Sequence, residues 1–262
     1  MDPALRAAAS GMRAQQTRQD VIANNLANVN TTAYKRSRAN FEDLLYQTIT
    51  GPQVIGGPAA NTLPAVQIGR GVRLASVQKD HAQGSIETTQ NPTDVAIEGD
   101  GFLQVQLPSG AIAYTRDGKL QLSDQGVLVT AEGNPVLPNI RIPAQSAGLS
   151  IGPTGIVSVL RAGSTAPEEL GRIELARFTN PAGLLSMGQN MYTATPASGE
   201  PAVSFPQDEG TGRLMQGSLE MSNVEVVTEM VDMITTMRAY ELTSKSIKTS
   251  DDMLQIANGL VR

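Results

Sequence analysis

Apolar residues recur at seven-residue intervals at both ends of the chain, whereas the middle alternates β-forming runs with turn signals. At the N-terminus two such lines, offset by three, form an a/d seam and predict a helix that begins at Asp2 and ends near Asn28 to Thr32. Asp2 is the predicted N-cap, and Pro3 suits the first helical position. The lines consist of Leu5, Met12, Gln19, Leu26 and Ala8, Gln15, Ile22, Val29.

A second helix is predicted at the C-terminus. Ser222 and Glu225 have capping-box spacing just before an apolar run, and no proline follows Pro206 to interrupt it. One line of this helix consists of Val226, Met233, Tyr240, Ile247, Leu254 and Val261, with Met230 and Met237 beside it. The predicted assembly seam of both helices therefore comprises Leu5, Ala8, Met12, Ile22, Leu26, Val29, Val226, Met230, Met233, Met237, Tyr240, Ile247 and Leu254.

The middle of the chain reads as β-structure. From Asp94 to Thr195, runs such as FLQVQL, AIAY and VLVT are separated by turn signals such as PSG and RDG, which favours an antiparallel sandwich or barrel-like domain. The predicted fold class is α+β: terminal helices pair as a coiled coil, with an inserted β-rich extended segment and an antiparallel β-domain. The predicted domains are 1–30 plus 222–262, then 31–92 plus 199–221, and an outer β-domain at 93–198.

The composition argues against some classes of function and favours a subunit of a larger assembly. The net charge of −5 argues against nucleic acid as a main partner. Charged residues make up only 17%, which suits a subunit that hides surface against neighbours. No apolar run is long enough to span a membrane, and the first residues lack the apolar core of a cleaved signal peptide.

The two ends of the chain carry opposite net charges. Residues 1–40 carry six basic and two acidic groups, and residues 219–262 carry seven acidic and four basic ones. The ends are therefore expected to attract each other or the ends of neighbouring copies.

Catalytic chemistry is not indicated. His81 is the only histidine and Cys is absent, which leaves little for a metal site or a catalytic triad. The glycines around Asp100 lack a dinucleotide fingerprint and indicate a tight turn. Adjacent carboxylates at Glu168–Glu169 and Asp251–Asp252 are typical of solvated surface, and the basic cluster Lys35–Arg38 of a solvated or subunit-contacting patch. We predict no catalytic, cofactor-binding or metal-binding residues, and therefore no cofactor.

Two residue types are unusually placed. The methionines of the C-terminal helix fit either ordinary core packing or an adaptable interface. Asparagines cluster at the end of the first helix, although Asn is a mediocre helix former. Either that helix end frays, or the amides bond to backbone or to neighbouring subunits at the helix-to-loop junction, which we favour. These helix-junction residues are Asn24, Asn25, Asn28 and Asn30.

Three motifs carry a resemblance to a known family. They are SGMRAQQTRQDVIANNLANVNTTAYKRSRANFEDLL, NPTDVAIEGDGFLQVQLPSGAIAYTRDGKLQLSDQGVLVT and SLEMSNVEVVTEMVDMITTMRAYELTSKSIKTSDDML, in this order along the chain. Together they resemble the bacterial flagellar rod and hook family over essentially the whole chain. Within that family, the length and the segment EDLLYQTITGPQVIGGPAANTLPAVQIGRGV resemble the distal part of the rod most closely, since hook proteins are typically longer and lack this stretch.

The resemblance implies a mechanical function in the flagellar basal body. Subunits would stack helically into a hollow drive shaft that carries torque from motor to hook, with the terminal helices as its inner wall and the β-domain outside. The segment Tyr46–Gly69 would be an ordered strut that stiffens the tube. Its rod-stiffening residues would be Tyr46, Gln47, Ile49, Gly51, Pro52, Val54, Ile55, Pro64 and Ile68.

The resemblance also implies partners and a location. The chain would bind itself as a helical homopolymer, with proximal rod proteins below and hook protein above. The P-ring and L-ring bushing proteins would surround it, and a rod cap would act during assembly. Export would use the flagellar type III apparatus, without a cleaved signal peptide, to a rod that spans the periplasm and reaches the outer membrane.

Alternatives stay open at this point. A proximal rod or hook-like axial subunit is the nearest one and would differ in its position along the axle. A secreted β-domain binding module, dimerised through its terminal coiled coil, would instead form a discrete dimer with ligand affinity. A hydrolase acting on cell-wall polymer would need a carboxylate pair in a groove.

Overall fold

The computed structural model describes residues 3–51, 53–55, 61–63, 65–143, 146–161, 166–208 and 210–260. As predicted, the fold is α+β, with a helix towards each end and antiparallel strands between them. The chain divides into two compact units. The helical unit contains Met1–Ala27, Ser37–Gln78 and Glu225–Arg262, and the β unit contains Asn28–Arg36 and Lys79–Val224. The division into three domains stays a prediction.

Two long helices dominate the helical unit. Helix α1 begins at Pro3, as the sequence predicts, and ends at Ala27; Asp2 lies outside the described residues. Helix α2 spans Val226–Leu260. It begins after the position predicted for its cap, so the predicted capping box is wrong. The Ser222 hydroxyl instead accepts a hydrogen bond from the Val224 N–H at 3.3 Å, in the extended segment before the helix.

The strands of the helical unit form two-stranded ladders. β1 pairs with β6, β2 pairs antiparallel with β5, and β3 pairs antiparallel with β4. The pairs β2–β5 and β3–β4 lie within the segment predicted to be a strut, between Tyr46 and Gly69. The bounds are β1 Ser37–Asp43, β2 Tyr46–Thr50, β3 Gln53–Ile55, β4 Asn61–Leu63, β5 Val66–Gly69 and β6 Val72–Lys79.

The β unit is built from short strands, as the alternating runs and turn signals predict. The bounds are β7 Ile86–Thr88, β8 Val95–Glu98, β9 Phe102–Gln106, β10 Ile112–Thr115, β11 Gln121–Leu122, β12 Leu128–Val129, β13 Ser146–Ile151, β14 Ile156–Arg161, β15 Glu168–Arg172, β16 Leu175–Arg177, β17 Leu185–Gly188, β18 Met191–Thr193, β19 Ala202–Ser204, β20 Arg213–Gln216 and β21 Ser218–Glu220. A 3₁₀ turn, Pro181–Gly183, precedes β17.

A six-stranded antiparallel sheet in the order β17-β18-β10-β9-β16-β19 organises this unit. Aliphatic side chains fill one core, which includes Ile97, Leu103 and Leu175. A second cluster contains Phe102, Tyr114, Phe178 and Tyr192. The last two strands of the unit pair with its first two: β20 pairs with β8, and β21 pairs with β7. The segments at the two ends of this unit's sequence are thereby joined.

None of the helices in the described residues is long and apolar enough to cross a membrane.

Candidate assembly interface

The contact between α1 and α2 uses small and polar side chains. The helices run antiparallel: Asn25 Nδ2 lies 3.2 Å from Glu229 Oε2 and Arg18 lies 3.5 Å from Asp232, while Gly11 lies beside the Thr243 methyl group. Small side chains allow the two backbones to approach closely. Thr236, one heptad from both Glu229 and Thr243, is also buried.

The predicted apolar line of α2 lies largely at the surface of the chain. Val226, Met230, Met237 and Tyr240 are exposed. Met233 and Ile247 are half-buried, and the side chain of Leu254 lies outside the described ones. In α1 and just after it, Ile22 is buried, and the remaining predicted positions are half-buried: Leu5, Ala8, Met12, Leu26 and Val29.

Further apolar side chains of α2 are exposed between the heptad lines. Val227 and Leu242 are each 70% exposed, and Val231 and Ile234 are about half exposed. The two predicted heptad lines do not include them because they lie on neighbouring helix faces. The first half of α2 thus offers an apolar surface wider than one partner helix can cover. We call this surface the α2 apolar face: Val227, Met230, Val231, Ile234 and Met237.

Asn25 links three segments of the helical unit. Its amide nitrogen donates to the Ser37 carbonyl oxygen at 2.9 Å, and its amide oxygen accepts from the Ser37 N–H at 2.8 Å. The same amide nitrogen donates to buried Glu229. Asn25 is 1% exposed, so water does not replace these bonds. It thereby fixes the end of α1 to the start of both β1 and α2.

The other helix-junction asparagines differ from Asn25. Asn24 and Asn30 are exposed and Asn28 is half-buried. The Asn28 side-chain oxygen accepts from the Thr31 hydroxyl at 3.2 Å, and its carbonyl oxygen accepts from the Thr31 N–H at 3.1 Å. These bonds form a local turn after α1.

The predicted strut is a solvated hairpin in the isolated chain. β2 and β5 are exposed on both faces, including the large side chains of Tyr46, Ile49 and Ile68. A hairpin of this kind is marginal in water without further packing. Gln47 and Gly51 are also exposed. Val54 and Ile55 lie in β3, with side chains outside the described ones, and Pro52 and Pro64 lie outside the described residues altogether.

A buried ionic cluster occupies the β unit. Lys35 Nζ lies 2.6 Å from Glu220 Oε1, and Arg116 Nε lies 3.1 Å from Glu220 Oε2; the Lys35 and Glu220 side chains are fully buried. The Gly84 N–H also donates to Glu220 Oε1 at 2.9 Å. Glycine is required there because a Cβ atom would overlap the Met221 carbonyl oxygen. Burial and the nearby Arg116 lower the pKa of Lys35, and Glu220 raises it in part.

The cluster joins the segment that follows α1 in the sequence to the segment that precedes α2. The Ala33 N–H donates to the Glu220 carbonyl oxygen at 2.8 Å, and the Arg36 N–H donates to Asn223 Oδ1 at 2.7 Å. The Lys35 ammonium also donates to the Ala82 carbonyl oxygen at 2.7 Å. Pulling these segments apart would therefore expose buried charge as well as break hydrogen bonds.

His81 packs beside this cluster as part of an aromatic group. Its ring stands edge-on to Phe102 and Tyr192, with centroid distances of 5.7 and 5.3 Å. Burial first, and then the cations Lys35, Arg116 and Lys79, lower its pKa from 6.5 to about 4, against a small opposing effect of Asp80. The imidazole is therefore neutral at pH 7, and its packing is structural.

One interpretation of the charged residues needs revision. Lys35 is fully buried, so the prediction of a solvated or subunit-contacting patch at Lys35–Arg38 is wrong for Lys35. The sequence does not reveal that Lys35 is buried, because its carboxylate partner Glu220 is 185 residues away. Glu168 does lie at the surface, where it pairs with exposed Arg161 at 2.8 Å, and Asp251 and Asp252 are exposed.

Three protein-family models match the chain in the order of its motifs. The model described as flagella basal body rod protein matches residues 5–35, and that of the flagellar hook protein FlgE/F/G D1 domain matches residues 96–159. The model of the flagellar basal body rod FlgEFG protein C-terminal region matches residues 215–260. The chain thus falls in the class of structural proteins of the flagellar rod and hook, and is not an enzyme.

Comparison with individual proteins narrows this class. The chain is 51% identical to the flagellar basal-body rod protein FlgG of Borreliella burgdorferi, over 99% of this chain and 98% of that protein. It is 51% identical to FlgG of Buchnera aphidicola subsp. Schizaphis graminum, and 45% identical to FlgG of Caulobacter vibrioides, over 97% and 98% of this chain respectively and 98% of each relative. The chain belongs to the FlgG family of flagellar basal-body rod proteins. A hook-like subunit or a secreted binding module is not favoured.

Proposed function

We propose that the chain polymerises helically into the distal rod, a rigid hollow shaft that transmits torque from the flagellar motor to the hook. The α2 apolar face carries this proposal. In the isolated chain these side chains are solvated, and each large apolar side chain contributes about 1.5–3 kcal/mol when it is fully buried. Neighbouring copies supply that burial when the terminal helices pair as coiled coils and line the tube.

The remaining predicted contacts follow from the same arrangement. The seam residues of α1 and α2 meet between copies, and the Tyr46–Gly69 hairpin braces a neighbour. The proposed partners are proximal rod proteins below, hook protein above, the P-ring and L-ring around the shaft, and a rod cap during assembly. The proposed location is the periplasm up to the outer membrane, reached through the type III export apparatus.

Charge placed on the α2 apolar face tests this function. Met230→Asp leaves the monomer folded because Met230 is exposed, but it buries a carboxylate when copies assemble. Purified parent protein is expected to form tubes on concentration, visible by electron microscopy, and Met230→Asp is expected to stay monomeric. Gln125→Asp, at an exposed turn of the β unit, is the matched control and should assemble. A Met230→Asp chain that forms normal tubes would contradict the proposed seam.

A further inference from the structure

A groove runs along α1 on the side of β6. Its volume is about 710 Å³. The apolar residues of its lining include Ala9, Met12, Val72, Leu74 and Tyr240. Leu74 and Tyr240 are each 42% exposed, so the groove is an open apolar surface within the helical unit.

Basic side chains line the same groove. Arg6, Arg13 and Arg73 belong to its lining, which contains no acidic residue among those described. Arg73 is paired with Glu42. Arg6 and Arg13 are exposed, and neither has an ion-pair partner among the residues that the structure describes. The groove therefore suits an apolar segment that carries carboxylates.

Among the described residues, no helix of the same chain lies beside the last part of α2. Gly11 of α1 lies opposite Thr243, and the antiparallel register places Pro3, the first residue of α1, about level with Asp251. Helix α2 continues to Leu260. The segment Asp251–Leu260, which we call the α2 tip, thus extends beyond the start of α1.

The α2 tip carries the acidic groups that the groove lacks, together with exposed apolar side chains. Asp251 and Asp252 are its charged residues, and it contains no Lys or Arg. Met253 and Ile256 are 60% and 65% exposed. Asp251 accepts a hydrogen bond from Gln255 at 3.1 Å, and neither carboxylate pairs with a cation in the described part of the chain. The last turn also has no basic residue to offset the negative end of the helix.

We infer that the α2 tip of one copy docks into the basic groove of a second copy. Asp251 and Asp252 then meet Arg6 and Arg13, while Met253 and Ile256 cover the apolar floor. The lengths agree, since the tip spans roughly 14 Å and the lining from Arg6 to Thr17 roughly 16 Å at 1.5 Å per residue. The inference rests on the proposed polymer and names one of its contacts.

Cysteine cross-linking tests the contact directly because the chain has no cysteine of its own. Ala9→Cys places a thiol in the groove, and Gln255→Cys places one on the tip; both positions are exposed. A polymer grown from an equal mixture of the two variants is expected to give a disulfide-linked dimer on mild oxidation. A mixture of Gln255→Cys with Ser109→Cys, at an exposed turn of the β unit, should give none.

A charge exchange provides the second test. Arg6→Glu with Arg13→Glu, or Asp251→Arg with Asp252→Arg, is expected to raise the concentration needed for polymerisation at least tenfold, and combining all four changes should restore it. Polymers that form without the Ala9–Gln255 cross-link would overturn the tip as the occupant of the groove and leave the proposed function intact. A parent chain that forms no polymer would overturn the proposed function and this contact together.

Discussion

Lys35 and Glu220 form an ion pair of 2.6 Å between side chains that are both fully buried. Lys35 follows α1 in the sequence, and Glu220 ends β21 shortly before α2. A buried pair contributes little net stability compared with an apolar pair, but removing one partner is costly because the other charge stays buried. The pair therefore fixes how these two segments meet.

Glu220→Gln is expected to lower the free energy of unfolding of the monomer by about 3–5 kcal/mol, because it leaves both Lys35 and Arg116 without their counter-charge. Lys35→Met should cost less, about 2 kcal/mol, since Arg116 still faces Glu220. Scanning calorimetry measures both. Glu168→Gln is the control, because its exposed pair with Arg161 contributes under about 1 kcal/mol. Equal losses for Glu168→Gln and Glu220→Gln would contradict this account.

Asn25→Leu is expected to destabilise the helical unit by about 3 kcal/mol, because the backbone groups of half-buried Ser37 and the carboxylate of buried Glu229 lose their hydrogen bonds to Asn25. Amide hydrogen exchange at Ser37 should become markedly faster. Asn24→Leu changes an exposed neighbour and should leave that exchange rate near the parent's. Unchanged protection of Ser37 in Asn25→Leu would show that the link is dispensable.

The free energy of unfolding should decrease as the pH is lowered through the range between the unfolded and folded pKa values of His81. Its folded pKa of about 4 lies below the unfolded value of 6.5, so the unfolded chain binds the extra proton between these values. The stability from a neutral His81 is fully present above pH 6.5, declines as pH falls and is lost near pH 4. His81→Gln cannot take up this proton, so we expect its melting temperature to approach the parent's between pH 6.5 and 4. A constant difference over that range would refute the shift.

Deleting Gly51–Pro64 is expected to leave polymerisation intact and to make the polymer bendable, with a persistence length several-fold shorter in electron micrographs. The deletion leaves the flanking strands β2 and β5 in the sequence while it removes the hairpin end that braces a neighbour. A chain in which the same residues are replaced by a Gly–Ser sequence of equal length controls for spacing and should also bend. Stiff polymers from both chains would exclude a role for this segment.

The helices and the antiparallel middle could be predicted because their signals are local. Pro3 starts α1, and the runs at Phe102–Gln106 and Ile112–Thr115 form strands where turn signals bracket them. The start of α2 could not be placed, because Asn223 is held by residues distant in sequence. Its N–H donates to the Tyr34 carbonyl oxygen, and its side-chain oxygen accepts from the Arg36 N–H.

The helix faces were harder to assign than the helices. Heptad spacing locates an apolar line but does not say which partner covers it. Nothing in the sequence marks Gly11 and Thr243 as helix-contact residues, yet Gly11 of α1 lies beside the methyl group of Thr243 in α2. The sequence around Lys35 and Arg116 does not predict that they are buried. Their shared partner Glu220 is distant in sequence and lies near them only in the folded chain.

The pairing of β21 with β7 has a consequence for the order of folding. A chain that arrives N-terminus first cannot finish its β unit until Glu220 has emerged, since that residue reaches back to Lys35 across 185 positions. Loops of this length close slowly. The β unit therefore acquires its final shape only once nearly all of the polypeptide has emerged.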